Sequence, residues 1–157
     1  MNRFDFEHDL KQEIHTQFDD YGVRIPIRSK LSDMLLDYLT IMKKIVIPKS
    51  RNVIISPLLK NKLKNHPKEN EIKLLESLFK QGKDVNYFQS KRLFQTKFHD
   101  HLLYEWNIYH FHLGNTTEKN SKFIKQTDIM LFVYVTDETV VFLDTEKHAE
   151  GIFGDEK

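Results

Sequence analysis

The chain has 157 residues and a formal net charge of +1 at pH 7, a length that suits one domain. It contains no cysteine, which excludes disulfide bonds, thiolate metal sites and a cysteine nucleophile. The first residues, MNRFDFEHDL, are too acidic for a signal peptide and no stretch is apolar enough to span a membrane, so we expect a cytoplasmic protein without a membrane partner.

The first two-thirds of the chain is predicted to be mainly helical. Apolar residues recur at intervals of four from Phe6 to Phe18, which indicates a first helix. An extended piece is predicted over residues 23–27. A second apolar stripe, with Ser29 as its cap, runs from Leu31 towards Pro48, where proline ends the helix.

Two further helices are predicted from their end signals. Ser56-Pro57 is typical of a helix start and opens a short basic helix through Lys64. His66-Pro67 repeats this signal, and the helix that follows is predicted to end at Gly82 because glycine readily adopts the left-handed conformation of a C-terminal cap.

The period of the apolar pattern changes near Trp106. A helical pattern runs from Leu93 to that residue, and beyond it alternation predicts strands at residues 106–113, 128–135 and 139–144. The polar residues 114–127 form a loop, and residues 136–138 allow only a hairpin. We therefore predict a single α+β domain over residues 1–157, with a mainly helical part (1–105) followed by a small antiparallel β-sheet with the candidate site (106–148).

Charge is unevenly distributed along the chain. Residues 38–68 contain eight basic side chains and no acid, whereas residues 128–157 contain eight acids and two lysines. A basic segment of this kind can bind the phosphates of RNA. The alternative is that it forms a solvated face and pairs with the acidic C-terminal third.

Two histidines stand two residues apart in the stretch WNIYHFHL, residues 106–113. Because strand side chains alternate between faces, His110 and His112 are predicted to share a face with Trp106 and Ile108. The tyrosine, phenylalanine and leucine of the stretch form the other face, which is predicted to be core. The histidine face is predicted to open into a cleft. The alternative is that both histidines are partly buried sheet residues without a chemical role.

The leading functional hypothesis is metal-independent cleavage of RNA, which needs no cofactor. A neutral imidazole can accept the proton of a 2′-hydroxyl while an imidazolium protonates the leaving oxygen. His110 and His112 are the catalytic candidates, with His148 as a third member. Trp106 and Tyr109 can stack bases, and basic side chains can stabilise the phosphorane. The candidate substrate-binding residues are Trp106, Lys122, Lys125, Lys60, Lys62 and Lys64.

Two other hypotheses stay open, so the sequence does not decide whether the protein is an enzyme. In one, His110 and His112 are metal ligands and His148 or Asp144 completes the site. No supporting motif such as His-Glu-x-x-His is present. In the other, the protein has no catalytic activity and binds a partner of a phage or mobile element, with the histidines at the interface.

Residues from Gly82 to His148 resemble a family of uncharacterised bacterial and phage proteins. The motifs that carry the resemblance are GKDVN from Gly82, Ser90-Lys, Asp100-x-Leu102-Leu103-x-x-Trp106-x-Ile108-x-His110-x-His112-Leu113, Leu131-Phe132 and the late His148. This layout is similar to the barnase, EndoU, colicin and RelE-like ribonuclease toxins. The resemblance implies metal-free RNA cleavage, a toxin or phage-conflict role and a protein antitoxin as partner. No lysine or arginine here matches a catalytic position of that group.

Overall fold

The computed structural model describes residues 5–20, residue 23 and residues 30–147. Within them it contains five α helices and a four-stranded β-sheet, in agreement with the predicted α+β class. None of these helices is long and apolar enough to cross a membrane. The chain divides into two compact units, one comprising residues up to Ile45 with Phe94–Thr96 and the other comprising Val46–Leu93 with the residues from Lys97 onwards. The single domain over residues 1–157 stays a prediction.

The first unit contains the two helices predicted from apolar periodicity. They are α1 (Phe6–Asp20) and α2 (Leu31–Lys44). The ring of Phe18 packs edge-on against that of Tyr38, with 5.7 Å between centroids, and the Tyr38 hydroxyl donates to Gln17 Oε1 at 2.6 Å. The predicted cap at position 29 and most of the predicted extended piece, residues 24–27, lie outside the described residues.

The second unit contains the sheet and three helices. In chain order its elements are β1 (Asn52–Ile55), α3 (Pro57–Leu63), α4 (Glu69–Gln81), α5 (His101–Trp106), β2 (Ile108–His112), β3 (Ile129–Val135) and β4 (Thr139–Lys147). Two short 3-10 helices, Asn86–Phe88 and Lys91–Phe94, precede α5. The three strands predicted after Trp106 are thus confirmed, with ends that differ by a few residues.

The predicted start of α3 and end of α4 are confirmed, whereas α4 begins at Glu69, after the predicted signal His66-Pro67, and α2 ends at Lys44, before Pro48. The Ser56 hydroxyl oxygen accepts the N–H of Leu59 at 3.0 Å, and Pro57 occupies the first turn of α3. Gly82 follows α4 with a φ of 68°, and its N–H bonds to the last carbonyls of the helix. The capping hydrogen bonds at both ends join residues within a few positions, which is why the sequence indicates these ends.

The helix predicted from Leu93 to Trp106 is wrong over most of its length. A 3-10 helix ends at Phe94, and α5 does not begin until His101. The reason is Asp100, whose carboxylate accepts the N–H of Leu103 at 3.1 Å and so starts a new helix at that point. The apolar spacing of this segment belongs to two separate elements, which bury Leu93 and Leu103.

The prediction of a purely antiparallel sheet confined to the last third of the chain is also wrong. The strand order is β1-β4-β3-β2, with antiparallel pairing among β2, β3 and β4 but parallel pairing of β1 with β4. β1 belongs to the part predicted as helical. It has four residues and takes its partners Val140 and Phe142 from the far end of the chain, so no local period indicates it.

One face of the sheet forms the core with helices α3, α4 and α5. Phe79 of α4 packs edge-on against Phe111 of β2 and Phe142 of β4, with 5.7 and 5.9 Å between ring centroids. The opposite side of the sheet is called here the outer face. It comprises Ile54, Ile108, His110, His112, Met130, Phe132, Tyr134, Val141, Asp144 and Glu146.

Candidate functional site

β2 separates its side chains between the two faces as strand alternation predicts. His110 and His112 lie on the outer face, while Phe111 and the following Leu113 are fully buried in the core. Tyr109 is 8% exposed and belongs to the same core, so the hypothesis that Tyr109 stacks bases is wrong. Only the histidine side of the strand is left for a site.

His110 lies beside a carboxylate from the start of α5. Its Nδ1 atom is 3.2 Å from Asp100 Oδ2, and the two side chains are 13% and 10% exposed. The other oxygen, Asp100 Oδ1, accepts the N–H of Leu103. Because this bond caps the helix, the carboxylate is held in place by α5 while β2 holds the imidazole.

The Asp100 carboxylate lies on the Nδ1 side of the His110 ring, where the contact is one of charge and not a hydrogen bond. A carboxylate beside Nδ1 favours the tautomer with its proton on that atom, which leaves a lone pair on Nε2. The pair therefore has the parts of a general base and the group that orients it.

His112 has different surroundings from His110. It is 2% exposed, and its Nδ1 accepts the N–H of Thr127 at 3.4 Å. The Thr127 hydroxyl in turn accepts the N–H of Leu113 and donates to the carbonyl of Ile129. His112 therefore takes part in the network that joins the end of β2 to the start of β3, and it does not lie at the mouth of a cleft.

The third histidine candidate, His148, lies outside the described residues, and the other proposed metal ligand, Asp144, is separated from His110. Asp144 stands opposite Phe132, which separates it from His110 across the sheet, and its carboxylate accepts from Lys62 Nζ at 2.7 Å. Among residues 5–20, 23 and 30–147, no three histidine, aspartate or glutamate side chains are grouped closely enough to hold a metal ion.

Two more imidazoles flank Asp100 in the chain. The rings of His99 and Tyr104 stack with 4.1 Å between centroids, and His101 lies edge-on to His99 at 5.0 Å. Both histidines are exposed. Sequence reasoning gave Asp100 no role, although an aspartate directly before a helical apolar run is a typical N-cap signal that could have located it.

The candidate substrate-binding residues near the sheet are exposed. Trp106, the only tryptophan of the chain, ends α5 and is 66% exposed. Lys122 Nζ lies 5.7 Å from the centre of the Tyr87 ring, within cation–π range, and the Lys125 N–H donates to the carbonyl of Thr116. The segment 114–127 is thus held by backbone hydrogen bonds even though it contains no regular element.

The basic residues of α3 do not share one environment. Lys60 and Lys64 are exposed, whereas Lys62 Nζ donates to Asp144 and to Glu146 at 2.7 and 3.2 Å. The hydrogen bond to Asp144 raises the pKa of Lys62 above its ordinary value of 10.5. At Lys62 the basic segment therefore pairs with the acidic C-terminal third, which was the alternative to phosphate binding.

Comparison of the chain with protein-family models, with curated proteins and with solved structures gave no match. The resemblance between Gly82 and His148, and the ribonuclease activity that it implies, therefore stay predictions. What can be said of function follows from the residues around His110.

Proposed function

We propose that this chain is a metal-independent RNA-cleaving domain in which His110 acts as the general base. The observation that supports the proposal is the Asp100 carboxylate, which lies 3.2 Å from His110 Nδ1 and favours a proton on that nitrogen. A cytoplasmic location, a toxin or phage-conflict role and a protein antitoxin as partner belong to the same proposal, on the strength of composition and resemblance.

In the proposed reaction, His110 Nε2 takes the proton of a ribose 2′-hydroxyl, and the 2′-oxygen attacks the adjacent phosphorus. The bond between phosphorus and the 5′-oxygen breaks, and the leaving oxygen is protonated by a general acid. The products are a 2′,3′-cyclic phosphate and a 5′-hydroxyl. Lys122 and Lys125 are proposed to offset the charge that develops on the phosphate oxygens.

Two histidine candidates, His112 and His148, remain for the role of general acid. His112 is 2% exposed and its Nδ1 accepts a backbone N–H, so it is badly situated to pass a proton to a bound substrate. We therefore place His148 ahead of His112 as the acid. His112 is proposed to position the end of β2 through Thr127.

The test is cleavage of an unstructured RNA in the presence of EDTA, with detection of the cyclic phosphate product. His110→Ala is expected to lower the rate about 10²- to 10⁴-fold, the range for loss of a general base. The matched control is His8→Ala in α1, which also removes a histidine and is expected to leave the rate unchanged.

Asp100→Asn separates the role of the carboxylate from its role in the helix. Asparagine is as good an N-cap as aspartate, so α5 is retained while the charge beside His110 is lost. We expect a lower kcat, a little-changed KM and a displaced pH–rate profile. Folded wild-type protein that leaves RNA intact with and without EDTA would overturn the proposal. Cleavage that occurs without EDTA and is abolished by EDTA would instead favour the metal hypothesis.

A further inference from the structure

The outer face of the sheet carries an apolar row that crosses all four strands. Ile54 lies beside Val141, Val141 lies opposite Tyr134, and Tyr134 lies opposite Ile108 in the strand register. Ile54 is 48% exposed and Tyr134 is 39% exposed, while the other two are partly exposed. A contiguous apolar surface of this kind is typical of a binding site.

Two more ring side chains lie next to this row. Phe132 and His110 are directly opposite each other, two residues along their strands from Tyr134 and Ile108. Opposed Cβ atoms in an antiparallel pair are about 5 Å apart and diagonal neighbours about 7–8 Å. The outer face therefore brings flat rings together beside His110, which is the base of the proposed reaction.

Exposed cations at one end of this face point to a polyanion as its ligand. The two acidic residues of the outer face, Asp144 and Glu146, share one lysine, Lys62, and Glu118 is paired with Lys91. The segment 114–127 joins β2 to β3 at the His112 end of the sheet and contributes exposed cations. They are Lys119, Lys122 and Lys125.

We propose that the exposed part of the outer face around Tyr134 binds single-stranded RNA, with one base stacked on the ring of Tyr134 and the phosphate backbone directed towards the lysines of segment 114–127. Unpaired bases offer their faces to aromatic side chains on an open sheet, whereas the bases of a duplex do not. RNA binding at this surface does not require cleavage. Only the role of the bound RNA as a substrate rests on the proposed function, and the substrate class is then single-stranded RNA.

The test is the affinity for a fluorescently labelled, unstructured oligoribonucleotide, measured by anisotropy in the His110→Ala background so that the RNA is not consumed. Addition of Tyr134→Ala is expected to weaken binding about 5- to 150-fold, and Tyr134→Phe to retain it because the ring face is kept. Phe6→Ala removes an aromatic side chain of α1 that is 64% exposed and is the matched control. A duplex of the same length is expected to bind more weakly.

Trp106 supplies a second readout without a label. It stands two residues before Ile108 at the end of the apolar row, and no other tryptophan contributes to the emission. Addition of the oligoribonucleotide is expected to quench this fluorescence in the wild type and in the Phe6→Ala control. The Tyr134→Ala variant is expected to need correspondingly more RNA for the same quenching.

The proposal is overturned if Tyr134→Ala, with a native circular dichroism spectrum, binds the oligoribonucleotide as tightly as its parent. It is equally overturned if the wild type does not bind RNA and forms a dimer, while the Ile54→Asp variant has the mass of a monomer. If Tyr134→Ala weakens binding but the wild type never cuts RNA, the binding surface stands and the cleavage proposal fails. If RNA is cut with a KM that Tyr134→Ala does not change, the cleavage proposal stands and the binding surface fails.

Discussion

His110 and His112 are two positions apart on β2, yet their imidazoles are surrounded by different groups. The side chain of His110 is 13% exposed beside Asp100, whereas His112 is 2% exposed and accepts a hydrogen bond from the backbone of Thr127. Strand alternation decides that both point to one face. Access to each ring is decided by the residues that pack on it, so a pair of histidines at this spacing is weak evidence for a two-histidine site.

Tyr109 was a base-stacking candidate in the sequence. Its burial leads instead to a prediction of how the stability of the protein depends on pH. Burial raises the pKa of the Tyr109 hydroxyl above its ordinary value of 10.0. As the pH rises through about 10, the unfolded chain loses this proton before the folded protein does, so the stabilising contribution is present below that pH and is lost above it.

We therefore expect the free energy of unfolding of the wild type to fall more steeply above pH ~10 than that of Tyr109→Phe. Urea unfolding followed by circular dichroism on both sides of this pH measures the difference. Tyr134→Phe removes the hydroxyl of a tyrosine that is 39% exposed and serves as the control. Parallel pH profiles for the wild type and Tyr109→Phe would contradict the expectation.

Among the elements, two capping signals predicted helix ends correctly, whereas α4 begins two residues after the predicted signal His66-Pro67. Ser56-Pro57 and Gly82 bound α3 and α4 as expected because a cap involves only neighbouring residues. The segment before α5 has apolar residues at helical spacing but breaks at Asp100. Two short elements separated by a break can therefore bury residues at helical spacing without forming one helix.

Gly82 is the residue at which the end of α4 can be tested. Its φ of 68° is unfavourable for residues with a Cβ, and a Cβ there would lie 2.6 Å from the backbone nitrogen of Ser50. Gly82→Ala is expected to lower the free energy of unfolding by at least about 1–2 kcal/mol, the cost of the left-handed conformation, with the steric overlap added to it. Chemical denaturation measures the loss, and Gln81→Ala, one residue earlier on an exposed side, is the control.

Gly82→Asn tells the two causes apart. Asparagine tolerates the left-handed conformation but still carries a Cβ, so the overlap with Ser50 remains. We expect Gly82→Asn to be destabilised as well. A stability equal to that of the wild type would mean that the backbone moves aside and that only the φ angle matters.

At the scale of the whole molecule, the second unit is assembled by contacts between distant parts of the chain. β1 pairs with the first half of β4, and Ser56 and α3 then cover the edge of its second half. Lys62 reaches Asp144 and Glu146 there, and Lys49 binds Asp137 at the β3–β4 hairpin. The basic segment (residues 38–68) and the acidic C-terminal segment therefore form ion pairs with each other, in addition to any role of the basic residues in binding RNA.

Lys62→Glu is expected to destabilise the protein because it places a third carboxylate beside Asp144 and Glu146. Lys60→Glu makes the same change of charge at an exposed position of the same helix, so its effect is expected to be smaller. Thermal unfolding at low and high salt measures both, and the difference between them should shrink as salt screens the charges. Equal melting temperatures for the two variants at low salt would show that the ion pairs of Lys62 do not matter for stability.

The sequence by itself determined the capped helices, the antiparallel β3–β4 hairpin and the core side of β2, because caps, turns and strand alternation act between residues a few positions apart. Only the tertiary structure decided that β1 joins β4, that His112 is buried and that Asp100 meets His110. Each of these depends on partners from separate elements, whose approach is set by the packing of side chains in the core. Local sequence patterns do not indicate how these distant side chains pack.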